Sequence, residues 1–144
     1  MAKTLLSRAV TLLHSDSYTC ILCDRDRILT SRSNGIAPLL TRIEDKEDLR
    51  GMVCADKIIG KAAAMLLLYG GVCAVHGDVL SVRAKALLER EGVAVSYGVL
   101  TDGIINRKGD GPCPMEQAVA DLTDPGDAPC VLRDTLERLK RLKG

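Results

Sequence analysis

The chain has no Phe and no Trp, and its aromatic residues are Tyr18, Tyr69 and Tyr97. Recognition of single-stranded nucleic acid rests on aromatic platforms for the bases, so that partner class is excluded at the outset. An excess of charge is missing too. Twenty basic and 19 acidic residues leave +1 at pH 7, without the electrostatic footprint of a nucleic-acid or membrane-surface binder. No apolar run is long enough to span a bilayer. The longest, residues 62–75, is broken at Gly70-Gly71 and reads as a buried helix followed by a strand. The first residues alternate polar and apolar groups like a helix, unlike the unbroken apolar stretch of a signal peptide. A cytoplasmic location is expected, and with it six reduced thiols rather than a disulfide framework. Two His and scattered Cys make no metal-ligand spacing, so neither metal nor cofactor is expected.

What the chain does have is core material: 47% of 144 residues are hydrophobic, enough for one domain. Residues 3–14 carry Leu5, Leu6, Ala9, Val10, Leu12 and Leu13 at helical spacing. Residues 18–24 and 27–31 read as a hairpin turning near Asp24-Arg25-Asp26. A second helix is expected over about 36–49, with Pro38 in its first turn. Then come a buried strand at 52–55, an apolar helix at 58–69 and a strand at 72–76. An amphipathic helix at 81–91 and a strand at 93–97 follow. The alternating half demands parallel strands, right-handed crossovers and helices on both faces. Two further helices are expected, over about 114–122 and 131–142.

Two segments resemble helix starts at which backbone N–H groups and the helix dipole hold an anion. The first is Asp56-Lys57-Ile58-Ile59-Gly60-Lys61-Ala62-Ala63, directly after a buried strand. Asp56 is expected to cap the helix, Lys57 and Lys61 to share one helix face, and Gly60 to admit a ligand or another backbone. The bland reading is a capped helix with two solvated lysines. The second is Gly111-Pro112-Cys113-Pro114-Met115-Glu116. Pro114 suits the first helical position, Cys113 the N-cap, and Glu116 the place from which a capping-box carboxylate reaches back to the N-cap. A thiol there is a candidate nucleophile with Glu116 as orienter or proton carrier; otherwise it is a buried Cys at a loop-to-helix joint.

Other residues carry weaker signals. Asn106-Arg107-Lys108-Gly109-Asp110-Gly111 reads either as a loop that closes over an anion or as a solvated turn. His76 ends a core strand at the edge where ligands of parallel sheets lie, which would bring it toward Asp56; a structural role is its bland reading. His14, at the end of the first helix, suits the dipole. Cys20-Ile21-Leu22-Cys23 has CxxC spacing, but residues three apart on a strand point to opposite faces, so both read as core thiols. The last helix carries Leu132, Leu136, Leu139 and Leu142 as one apolar stripe, for docking on the domain or on a partner.

The element order over residues 3–98, with the two helix-start segments and Asn34-Gly35-Ile36-Ala37-Pro38-Leu39, resembles a small prokaryotic family with a cytidine-deaminase-like fold and no assigned activity. The resemblance implies a three-layer α-β-α sandwich with a mixed, partly parallel sheet, in one domain spanning 1–144. Deaminases of that fold place a His or Cys and a Glu at the start of the second helix and two Cys at the start of the third. This chain has Gly35-Ile36-Ala37-Pro38 and Asp56–Lys61 there, so zinc-dependent deamination is not expected. The function expected is binding of a small anionic metabolite or nucleotide by Asp56, Lys57, Gly60, Lys61 and His76. The alternatives are a thiol enzyme or sulfur carrier using Cys113, and a non-catalytic homo-oligomer assembled through the apolar third helix or the C-terminal helix.

Overall fold

The computed structural model describes residues 2–105, 109 and 111–143. Helix α1 (Ala2–His14) buries Leu6, Ala9 and Leu13, the face its periodicity prescribes. Strands β1 (Cys20–Cys23) and β2 (Ile28–Ser31) form an antiparallel hairpin. Asp24 closes it, its carboxylate accepting from the N–H groups of Asp26 and Arg27 at 2.9 and 2.7 Å, the local bonding that makes Asp a turn residue. Helix α2 (Ala37–Glu44) follows. Then β3 (Val53–Ile59), α3 (Lys61–Gly70), β4 (Ala74–Ser81), α4 (Val82–Arg90) and β5 (Ala94–Thr101) alternate. Gly71, left-handed at φ 84°, ends α3 as only a residue without Cβ does freely. Short α5 (Pro114–Val119) and long α6 (Ala128–Lys143) complete the chain.

The five strands form one mixed sheet in the order β2-β1-β3-β4-β5. β1 is antiparallel to β3, whereas β3, β4 and β5 are parallel. α1 covers one face, packing on Ile21, Cys23, Val53, Ala55 and Ala74. The remaining helices cover the other, over a larger core that includes Leu22, Cys54 and Val75. The expected α/β architecture with helices on both sides is present. Among the described residues no helix is long and apolar enough to cross a membrane.

Element boundaries differ from expectation in one systematic way. Each parallel strand runs past its apolar stretch: β3 to Ile59, β4 to Ser81 and β5 to Thr101. Pairing with neighbours carries Asp56, His76 and Tyr97 inside strands rather than at their ends. The helix expected from Ile58 begins at Lys61, and α2 is shorter than expected. Ala62 through Leu67 of α3 are all buried against the chain's own core, so α3 offers no assembly face. Leu132 is buried while Leu136 and Leu139 pack on the same core, so the α6 stripe docks internally and leaves only Leu142 of it well exposed.

Candidate functional site

The amino end of α3 is already occupied. Its N-cap is Gly60, in extended backbone, with no side-chain cap of its own. The orphan N–H groups of Lys61 and Ala62 donate instead to the two carboxylate oxygens of Glu116, at 2.7 and 2.8 Å. This satisfies the N–H groups and the dipole as a bound anion would. Gly60 is needed for that approach, because a Cβ there would overlap the Glu116 carboxyl group and press on Ile104. The Lys61 ammonium donates to the Ala120 carbonyl at the end of α5, at 2.9 Å. Burial, with repulsion from Arg83 next, holds its pKa below the ordinary lysine value. The two helix-start segments therefore meet as two halves of one internal clasp.

Several expectations are corrected by this geometry. Asp56 does not cap α3; it sits within β3 and accepts from the Ile58 N–H at 3.1 Å. Lys57 lies on the strand and Lys61 on the helix, so they share no helix face. Glu116 caps α3 rather than its own helix. Cys113 is the N-cap of α5, as expected, with Pro114 following. It is half-buried against the core, and its N–H donates to the Ile104 carbonyl at 3.0 Å. Residues 106–108 and 110 of the expected anion loop lie outside the described residues.

Asp56 occupies the helix-rich face with Cys20, its register partner, and Cys54. The two thiol sulfurs stand 3.9 Å apart. Cys23 lies in the opposite core, so the CxxC pair diverges as strand geometry requires. Burial pushes the Asp56 carboxyl up to about 6, against the lowering effect of bonds from Ile58, Cys20 and Lys57. Asp56 pairs with Gly77 while His76 pairs with Ala55. Alternation thus sends Asp56 and His76 to opposite faces, and they do not converge.

His76 instead organises a polar cluster on the α1 side. Its Nε2 is 3.0 Å from Asp78 Oδ1 and its Nδ1 is 2.8 Å from Ser96 Oγ. His14, at the end of α1, also reaches Asp78, with Nε2 at 2.8 Å. The register aligns the chemistry: His76 pairs with Ser96, and Lys57 stands beside Asp78 between the Asp56–Gly77 and Ile58–Val79 pairs. Burial pushes the Asp78 carboxyl up, but the hydrogen bonds from His14 and His76 outweigh it and hold the pKa below the ordinary value. An ionised Asp78 only accepts, so His76 must carry its proton on Nε2. In the neutral imidazole Nδ1 is then left to accept from the Ser96 hydroxyl. Asp78 and Ser96 carried no sequence signal beyond the His-x-Asp spacing. Ser96 joins only through the β4–β5 register.

A shallow depression of about 600 Å³, lined in part by Leu68, Tyr69, Cys73 and Val93, lies at the opposite, amino ends of the parallel strands. It shares no residue with the polar cluster. Among the described residues no group of three or more His, Cys, Asp or Glu is arranged to hold a metal ion. The helix starts that bear zinc ligands in deaminases present Ile36, Ala37 and Pro38 at α2 and Gly60 and Lys61 at α3. None is a zinc donor, so the residues do not fit that metal.

A family profile described as TM1506, domain of unknown function (DUF1893), matches residues 8–136. The chain belongs to the DUF1893 family. A crystal structure of a DUF1893 protein (TM1506) from Thermotoga maritima superposes with a TM-score of 0.82 at 26% identity, covering 96% of this chain and 92% of that one. A diaminohydroxyphosphoribosylaminopyrimidine deaminase/5-amino-6-(5-phosphoribosylamino)uracil reductase from the same organism matches at a TM-score of 0.43 and 16% identity, over 68% of this chain and 36% of that one. No curated protein matches the sequence. The DUF1893 fold therefore stands on a close structural relative, while the family has no assigned function.

Proposed function

We propose that this DUF1893 domain binds a small anionic, nucleotide-like metabolite on the α1 side of its sheet, over the middle of β3, β4 and β5. The observation that carries this reading is the alignment of Lys57, His76, Asp78 and Ser96 across three adjacent strands. Lys57 is exposed and supplies a point charge for phosphate or carboxylate. Ser96 supplies a donor or acceptor, and His76 Nδ1 accepts from a ligand hydroxyl that displaces Ser96. The site moves from the α3 N-terminus, where Glu116 takes the anion's place, and keeps Lys57 and His76 of the five expected ligand residues. Gly60 and Lys61 build the clasp instead, and Asp56 faces away.

The thiol reading has less behind it, because Cys113 packs on the core at the start of a six-residue helix. A cytoplasmic setting accords with the free thiols, Cys20 and Cys54 among them. Isothermal titration against a panel of nucleotides and sugar phosphates tests the proposal. Saturable binding lost in both Lys57→Ala and His76→Ala, with folding unchanged, is the expected result. Silence across the panel, or binding indifferent to both substitutions, overturns it.

A further inference from the structure

The sheet has two edges, and among the described residues only one is protected. β2 is four residues long and flanked by Arg25, Arg27 and Arg32, the short, charged kind of edge that resists pairing. β5 is eight residues long, Ala-Val-Ser-Tyr-Gly-Val-Leu-Thr, without a charge or a proline. Tyr97, Val99 and Leu100 are 42%, 59% and 39% exposed. The Ala94 N–H donates toward β4, to the Cys73 carbonyl. Alternation along the strand therefore turns the backbone groups of Val95, Tyr97 and Val99 to the open side. A long, uncharged, apolar edge of this kind is a template for another strand.

We propose that the occupant is a second copy of this chain, its β5 paired antiparallel to the first about a two-fold axis to make one continuous ten-stranded sheet. Centring the pairing on Tyr97 sets Val95 opposite the second copy's Val99 and forms about six backbone hydrogen bonds. Helix α4, which packs over β4 and β5, argues for a copy rather than a foreign strand. Strands spaced about 4.8 Å apart put the two α4 axes about 10 Å apart, the distance at which helices pack. The flank of α4 near Tyr97 carries Lys85 and Glu89, bonded at 2.9 Å. A two-fold axis runs the helices antiparallel, so each Lys85 meets the second copy's Glu89 and the charges alternate. Val82, 44% exposed, lies on the same flank. An interface of this kind is isologous and closed, so it stops at two copies. It also sets Ser96 opposite the second copy's Gly98, so the two His76 clusters flank the seam.

The test is the solution mass of the wild type and of Val99→Lys by light scattering, with hydrogen exchange resolved along β5. The wild type is expected to be a dimer with slow exchange at Val95, Tyr97 and Val99. Val99→Lys is expected to be a folded monomer in which those three amides exchange at least tenfold faster. A monomeric wild type at 100-fold dilution from about 100 µM and at the undiluted concentration alike, or fast wild-type exchange at all three amides, overturns the proposal, as does a Val99→Lys dimer. Because the readout is mass and exchange, its failure leaves the ligand reading standing, and the converse also holds.

Discussion

Gly60 and Glu116 should behave as one energetic unit although 56 positions separate them in sequence. Replacing Glu116 by Ala strips the acceptors from the Lys61 and Ala62 N–H groups. Charge-assisted hydrogen bonds are worth about 1.5–3 kcal/mol each, and the helix dipole adds about 0.3–1 kcal/mol. Water reaches a half-buried site and recovers part of this, so Glu116→Ala should cost about 2–4 kcal/mol. Glu116→Gln keeps one carbonyl acceptor and should cost about half as much. Gly60→Ala places a Cβ inside the volume of the Glu116 carboxyl group, expels it, and should cost about as much as deleting it. The double variant is the decisive measurement. With the carboxylate gone, the overlap with it is relieved and the contact with Ile104 remains, so the double variant should be less destabilised than the sum of the singles by about 1–3 kcal/mol. Urea unfolding at pH 7, with the slope checked for constancy, measures each corner of the cycle. Additivity within about 0.5 kcal/mol would refute the clasp.

Two further predictions concern groups away from the clasp. Asp56 has a folded pKa of about 6 against 3.8 when unfolded, so the folded state holds its proton more tightly and this contribution to stability falls as pH rises from 4 to above 6. The full cost is about 3 kcal/mol; Asp56→Asn should therefore be more stable than wild type at pH 8 and lose the advantage near pH 4, and equal differences at the two pH values in urea unfolding would count against the burial argument. Ser81 caps α4 by accepting from the Ala84 N–H at 3.1 Å in a buried setting, so Ser81→Ala should lower unfolding free energy by about 1 kcal/mol; an unchanged midpoint would show the cap to be idle.

The fold was legible wherever the physics is local. The apolar spacing of Leu6, Ala9 and Leu13 marks α1, Asp24 marks the hairpin, Ser81 and Gly71 mark helix ends, and the alternation of apolar segments marks the parallel half. Strand ends were not legible, because Asp56, Lys57, Gly77 and Asp78 look like loop residues until a neighbouring strand pairs them. The site was half legible. His76 does not meet Asp56, the neighbour expected for it, but shares the α1-side face with Lys57, while Ser96 and His14 come from elements 20 and 62 residues away from His76. Only register and packing bring them to Asp78.

The sequence alone determined the order of elements and the divergence of Cys20 and Cys23, since each follows from geometry within a few residues. It also announced that the start of α3 needs a negative partner, because orphan N–H groups beside a glycine carry that demand in any setting. Tertiary structure alone decided that the partner is Glu116, bonded 54 and 55 residues along the chain. It also decided that Asp56 turns away from His76, and that β5 is left as an open edge. A local segment states which groups need partners, and the path of the rest of the chain determines which atoms arrive.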